Sequence, residues 1–523
     1  MRINQITPNM NLQHNNFIRR TDLTPEIRLY IACTAIMAQV NSTWGKLTEL
    51  SRQFMISRTF VYMLIAMLEK SSRVIFGDNH VTPAVDEKKL AFNYMLSLRL
   101  EGRCSLESIS ILMKRYDKKL SSVGSISQYL THFGSLLPHT QSDETTQMVI
   151  FLSDEIFSKS LPILVTVEPI SSAILKIELS DTRKAEDWKK HWRCLEKNGY
   201  FASYLVSDEG VGICTAHNKA LANIIRQPDT YHAIAHRLGL WVHYLESTAY
   251  KAIEDEDKCW NKLDSARSDE VIDKRIDKYE MAEKIVIEKI DIYENFHFLY
   301  QYLIEQLKVF DNNGNIRPRE EAQAQIETAL DLLKTLEITK LTKAVVRIQR
   351  TMPDLLNYFD TAQSIVSDLM ALSIDPDALR ALCLAWQWRK GVIKAKKAKV
   401  RNYSIIEEQF SLELARCYLQ DDYNSIKEQV YMRLDQIVQS SAMVECINSI
   451  IRPYLNNSKN HVTQEMLNLI MFYHNYRRYI DGKRKGKTPF EILTGTKQEK
   501  DWLELILDIV EQKDPSLFSS SRS

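Results

Sequence analysis

Glycine and proline are scarce in this chain, 14 and 13 among 523 residues. Tight turns draw on both, so the shortage argues against a turn-rich chain and predicts a mainly helical one with long elements. A run of about 18 consecutive apolar residues is missing, so no membrane-spanning helix is expected. The opening stretch MRINQITPNMNLQHNNFIRR has no apolar signal core. Secretion is therefore not expected, and a cytoplasmic location is, beside the nucleoid if the source is bacterial. The eight cysteines lack CxxC or His-paired zinc spacing, as free thiols in a reducing compartment would.

An excess of either charge is missing too. The 68 Lys+Arg and 67 Asp+Glu leave a formal net charge of +1, which does not announce a nucleic-acid partner. The sum hides segregation. Residues 1–140 hold 17 basic against 10 acidic side chains, and RKGVIKAKKAKVR (389–401) has seven bases and no acid. RRYIDGKRKGK (477–487) is also basic. Such a patchwork fits a protein that meets phosphate at a few places.

What is present is ordinary for a globular chain: 45% hydrophobic and 26% charged residues, over a length that predicts about two to four domains. TWGKLTELSRQFMISRTFVYMLIAMLEK (43–70) reads as helix, turn, helix. Leu47, Leu50 and Phe54 lie on one face of the first helix. Ser57 caps the second, with Phe60, Val61, Leu64 and Leu68 inward. This is the pattern of a helix-turn-helix, and Arg58, Thr59 and Tyr62 would occupy the exposed start of its recognition helix. A second copy of the layout, SLESISILMKRYDKKLSSVGSISQYLTHF (105–133), suggests a tandem pair, so 1–140 is expected to be a DNA-binding region. A plain helical hairpin is the competing reading for each.

The polar linker LPHTQSDETTQ (137–147) marks a boundary, and beyond it the periodicity changes. MVIFLSDEIF, PILVTVEP and AILKIELS are β-rich runs at hairpin spacing. They are followed by an amphipathic helix (183–199), the strand YFASYLVSDEG, a helix over 216–225, and a segment at 230–238 that begins as a strand. The order is βββαβαβα. From about 240 to 440 nearly everything is helical, with one clear break at DNNGNIRPRE (311–320). The expected divisions are 1–140, 141–245, 246–435 (an all-helical insertion), 436–496, and a final helix with a disordered tail over 497–523.

Two apolar strands end on acids: VIFLSD on Asp154 and SYLVSD on Asp208. In a βββαβαβ sheet the first and fourth strands are neighbours, which sets these aspartates side by side. With a third acid they make a hard oxygen site for Mg²⁺ or Mn²⁺. Two such ions about 3.5–4 Å apart activate a hydroxyl and stabilise the leaving oxygen of a phosphodiester. Glu155 and Glu209 follow the aspartates and should point away by strand alternation.

FLSDE, LVSDEG, DTYH and the late VECINSIIRPYL…NYRRYIDGKRKGKTPFEILTG together resemble the DDE transposases of the RNase H-like, or retroviral-integrase, superfamily. The resemblance covers about 148–240 and 440–495. It implies an α/β RNase H-like core with a large α-helical insertion, behind a helical helix-turn-helix region. Asp154, Asp208 and Glu445 would be the metal-binding catalytic acids. Asn448 and Arg452 would follow Glu445 on the same helix face. Asp229 and His232 match a C/D-x-x-H motif found in transposases with inserted domains, although a core histidine is the alternative. The implied activity is cut-and-join of a mobile element's DNA with two Mg²⁺ or Mn²⁺ ions. The implied partners are double-stranded DNA, as element ends and target, and further copies of the chain in a homodimer or larger oligomer. A catalytically silent DNA-binding descendant and an RNase H-like nuclease are the alternatives.

Several further residues are candidates for touching DNA. Trp386 and Trp388 precede the run containing Arg389, Lys390, Lys394, Lys396 and Lys397 and would stack on a base, unless they only pack the helix. Arg477, Arg478, Lys483, Arg484, Lys485 and Lys487 form the later basic cluster.

Overall fold

With so few chain breakers, helices run long, up to the 38 residues of Asp269–Gln306. A computed structural model describes residues 20–76, 87–141, 146–395, 397–458 and 461–518. It is helix-rich with one small mixed sheet, and no described helix is long and apolar enough to cross a membrane. The chain divides into two units, Met1–Glu87 and Lys88–Ser523.

Among its described residues the first unit holds three helices, α1 (Pro25–Val40), α2 (Lys46–Gln53) and α3 (Arg58–Phe76). Thr24 and Pro25 start α1 as cap and first-turn residue. The Ser57 Oγ accepts the Phe60 N–H at 3.1 Å and so starts α3. Leu50, Val61 and Leu64 meet Ile31, Ala32 and Ala35 of α1 in a small core. The α2–turn–α3 pair is the one expected from the sequence; its packing against α1 was not read there.

The second unit opens within α4 (Glu87–Leu96), followed by α5 (Leu106–Arg115) and α6 (Val123–Leu136). The expectation of one region over 1–140 departs from the observed division here. Ile109, Met113, Ile126, Leu130 and Phe133 are buried in the same core as the sheet. The second helical pair spends its apolar face on that core and does not share a unit with the first.

The sheet comprises β1 (Gln147–Ser158), β2 (Leu161–Val167), β3 (Ile174–Leu179), β4 (Tyr200–Ser207) and β5 (Arg226–Pro228) in the order β3-β2-β1-β4-β5. β1, β2 and β3 pair antiparallel, while β4 runs parallel to both β1 and β5. After β3 comes α7 (Ala185–Lys197) and after β4 comes α8 (Val211–Ala220). Trp188, Trp192 and Leu195 of α7 cover one face of the sheet. The other face is covered by α17 (Ala442–Asn457) and α18 (Gln464–Tyr476), reached after the intervening helices. Layers on both faces explain why β2 is buried at nearly every position and lacks alternation.

Among the described residues, eight α-helices lie between β5 and α17: α9 (Arg237–Asp264), α10 (Asp269–Gln306), α11 (Arg319–Lys334), α12 (Thr339–Leu355), α13 (Asn357–Met370), α14 (Pro376–Lys394), α15 (Ala398–Leu419) and α16 (Tyr423–Leu434). They share a core of their own that includes Ile326, Val345, Tyr358, Leu382 and Leu434. The chain leaves and re-enters the sheet region at one place. The Thr230 N–H donates to the Gln439 carbonyl at 3.2 Å, and the Ser441 N–H to Asp229 Oδ2 at 2.8 Å. α19 (Pro489–Thr494) and α20 (Trp502–Lys513) complete the unit.

Candidate active site

The register of β1 on β4 builds the site. Leu152 pairs with Val206 and Ser153 with Ser207, so the next residue on each strand is an aspartate. Parallel neighbours in register deliver both carboxylates to one edge. Asp208 follows the end of β4, as expected. Asp154 does not end its strand: β1 continues to Ser158 by pairing with β2, with Asp154 opposite Val165. What ends at Ser153 is the pairing with β4. Ser153 itself is fixed by a buried chain of hydrogen bonds. Its hydroxyl lies 2.9 Å from Thr166 Oγ1 and accepts the Trp192 indole N–H at 3.2 Å; His191 Nε2 meets Thr166 Oγ1 at 3.0 Å.

The glycines after Asp208 have distinct reasons. The Gly210 N–H donates to Asp208 Oδ1 at 2.9 Å, turning the chain back on its own side chain. At Gly212 a Cβ would lie 2.1 Å from the Arg183 carbonyl oxygen, so α8 approaches that backbone only without a side chain.

A cavity of about 440 Å³ opens at this edge, lined by Asp154, Asp208, Glu209, Asp229 and Glu445 together with His232, Arg237 and Arg347. Asp229 is buried and accepts the backbone N–H groups of His232 and Ser441, the Ser441 hydroxyl and His232 Nδ1. His232 Nδ1 lies 3.0 Å from Asp229 Oδ2, and its Nε2 lies 2.9 Å from Glu445 Oε1. The imidazole thus bridges two carboxylates. Its side chain is 43% exposed, which sets aside the core-histidine alternative. Among the described residues, Asp229, His232 and Glu445 bring three donor atoms within 4.8 Å of one another. Glu445, in the first turn of α17, shares the cavity with both strand aspartates but is turned onto His232.

Asn448 is buried one turn further along α17 and donates its Nδ2 to Asp154 Oδ2 at 2.9 Å, while its Oδ1 has no partner. Arg452 is exposed, and the cavity is lined without it.

Burial, and then the charges of Asp208, Glu155 and Glu445, push the Asp154 carboxyl up to about 7. Burial also works to raise Asp229, but the hydrogen bonds from His232 and Ser441 outweigh it and hold that carboxyl below its ordinary value. The hydrogen bond to Asp229, with the charges of Asp229, Glu445 and Asp154, lifts His232 to about 9. At neutral pH the bridge is an imidazolium. The group is dense in hard oxygen donors, and the Asn448 amide donates to Asp154. That donor set fits a divalent cation such as Mg²⁺ or Mn²⁺.

No protein-family profile matches the chain, and no curated protein sequence does. One solved structure similar to it is the Drosophila P element transposase strand transfer complex. The identity is 15% and the TM-score 0.29, over 78% of this chain and 98% of that one.

One expectation at the cavity needs correction. Glu209 does not point away; it lines the cavity, because strand alternation ends with β4 at Ser207. Arg237 and Arg347 were not singled out, and they share the Glu209 carboxylate at 3.6 and 3.1 Å. An arginine 138 positions from Glu209 leaves no local signal of that pairing.

The expected DNA contacts divide. Arg58, Thr59 and Tyr62 are exposed at the start of α3. Arg58 and Tyr62 line a concavity with Trp44, an almost fully exposed side chain that was overlooked. Trp386 is not available for stacking: it is buried in the insertion's core, its Nε1 donates to Asp435 Oδ1 at 3.0 Å, and Lys390 Nζ lies 3.6 Å from its ring centroid. Trp388 is half-buried edge-on to Tyr403, with Lys308 5.2 Å from its ring. Arg389 lies over Tyr431. Lys397 is exposed; Lys396 and the side chain of Lys394 lie outside the described residues. In the later cluster, Arg478 pairs with Glu491, Lys483 with Asp435, and Arg484 donates to the carbonyls of Pro169 and Ile170. Those three make contacts within the fold. Arg477 lies over Tyr473, and Lys485 and Lys487 are exposed.

Proposed function

We propose that the chain is a DNA transposase of the DDE type, in which an RNase H-like core is interrupted by a helical insertion. The reading rests on one observation above all: the β1–β4 register carries Asp154 and Asp208 to the same edge, in a cavity that Glu445 also lines after a detour of more than two hundred residues. The strand order β3-β2-β1-β4-β5 supports it.

Asp154, Asp208 and Glu445 would hold the divalent cations. When bound, these supply Lewis acidity at the scissile phosphate and a nucleophilic oxygen at neutral pH. The chain's own residues do the rest. Asn448 orients Asp154 through its amide. Asp229 and His232 keep Glu445 at the cavity and tie the start of α17 to the end of β5. The concavity of the first unit, with Arg58 and Trp44, binds the element end as duplex DNA.

The test is an in vitro reaction with candidate element ends and Mg²⁺ or Mn²⁺. Asp154→Ala and Asp208→Ala are expected to abolish cleavage and joining while DNA binding stays nearly intact, since these acids contribute to the transition state more than to docking. Near wild-type joining by either variant would remove the assignment. Cleavage by the wild type without any joining of 3′-hydroxyl ends would make it a nuclease.

A further inference from the structure

The tripeptide Ser-Asp-Glu occurs twice, as Ser153-Asp154-Glu155 and Ser207-Asp208-Glu209. Each glutamate carries an arginine. Arg183 Nη1 lies 2.6 Å from Glu155 Oε1, and Arg347 Nη2 lies 3.1 Å from Glu209 Oε2. Arg237 approaches the same Glu209 oxygen to 3.6 Å. The exposures are matched as well. The glutamate side chains are 8% and 18% exposed, their arginines Arg183 and Arg347 61% and 60%. The arginines come from unrelated places: the loop between β3 and α7, the first turn of α9, and α12 of the insertion. Asp208 lies near enough for its charge to act on both Glu155 and Arg183.

This arrangement is wasteful as a stabilising device. An ion pair with an exposed guanidinium contributes only about 0–1 kcal/mol. A planar guanidinium with open N–H edges is also the side chain best matched to a phosphodiester, which it can grip with two hydrogen bonds. An edge bearing five carboxylates repels a polyanion unless cations stand at its rim.

We propose that Arg183, Arg237 and Arg347 are phosphate ligands for the DNA strand that runs past Asp154 and Asp208, and that Glu155 and Glu209 hold them in position until the DNA backbone takes over. Glu209 fits the role of a temporary partner, since its buried Oε1 has no hydrogen bond of its own. Because Arg347 belongs to the insertion, the insertion completes the DNA-binding rim of the cavity. The inference rests on the transposase reading for the identity of the polyanion.

The experiment measures binding of full-length protein to a short random-sequence DNA duplex in EDTA, across a salt series. Each lost phosphate contact lowers the slope of log affinity against log salt by about 1. The R183A/R347A double variant is expected to lose about 2 from that slope and to bind at least about tenfold more weakly at low salt. R183K/R347K, which keeps both charges, should retain most of the slope. Glu209→Gln should bind more tightly than wild type, because it frees the arginines. Circular dichroism melts verify that the variants fold, as the exposure of both arginines predicts. A double variant with the wild-type slope overturns the inference, and so does weaker binding by Glu209→Gln. Neither result touches the proposed activity, which stands or falls on whether Asp208→Ala abolishes cleavage.

Discussion

Asp229 shows what one side chain does here. It is buried, yet four donors converge on it, two from His232 and two from Ser441. Its carboxylate is therefore a structural knot between β5 and α17 as well as a support for the imidazolium. Asp229→Ala leaves two backbone N–H groups without an acceptor and should cost about 2–6 kcal/mol, at about 1–3 per orphaned group. Urea unfolding followed by tryptophan fluorescence measures it; an unchanged midpoint would contradict this account. His474 gives a pH prediction. It is buried with its Nε2–H donating to the Ser172 carbonyl at 2.8 Å. Burial, with Arg477 and Arg484 nearby, holds its pKa down to about 4. In the unfolded chain it titrates near 6.5. As pH falls below about 6.5 the unfolded state takes up the proton first, so stability falls from there down to about pH 4. The total is about 3 kcal/mol. His474→Gln keeps a neutral donor and should flatten stability against pH in that window; an equally steep curve would refute the assignment.

At the scale of elements, close approach decides positions that propensity leaves open. Gly134 lies within α6, where glycine is locally unfavourable. A Cβ there would fall 2.1 Å from the Glu465 carbonyl oxygen, and Asn468 of α18 donates to the Gly134 carbonyl at 3.0 Å. The α6–α18 crossing needs the missing side chain. Gly134→Ala should separate the helices and cost about 1–3 kcal/mol, the range for overpacking. Chemical denaturation reads this out, and a wild-type midpoint would mean that the crossing relaxes freely. The tryptophans of α14 make a related point. Two residues apart on a helix means about 200° of rotation, so Trp386 and Trp388 face opposite ways. Periodicity said that one face was buried; it did not say which ring lay on it.

For the molecule as a whole, the separate core of α1–α3 makes the first unit removable. Deleting residues 1–87 should leave the melting temperature of the remainder within a few degrees of the full chain's, since Ile31, Leu50, Val61 and Leu64 pack among themselves. Under the proposed function it should also remove the preference for element ends and leave salt-sensitive, non-specific binding. A truncated protein that still chose element ends over random DNA would assign recognition elsewhere.

The sequence by itself determined the order βββαβαβ and the places of the first four strands, because apolar periodicity and turn residues act within a few positions. The fifth strand, expected to begin the segment 230–238, forms instead at Arg226–Pro228, and Tyr231–His236 is helical. The sequence also marked Asp208, because a polar end to an apolar strand is a local event, and it marked Asp154 by the same acid-after-apolar-run pattern although β1 runs on to Ser158. The all-helical stretch before Glu445 was equally legible, from its length, its charged amphipathic repeats and its single clear break. Tertiary structure alone decided the rest. Strand alternation predicts a direction only while the strand lasts, so Glu209 turned into the cavity once β4 had ended. The second helical pair buried its apolar face in the core it shares with the sheet. Arg237 and Arg347 reached Glu209 only through helices packed far along the chain. Attraction between charges depends on distance in space, and a single sequence carries no record of which distant residues end up near each other.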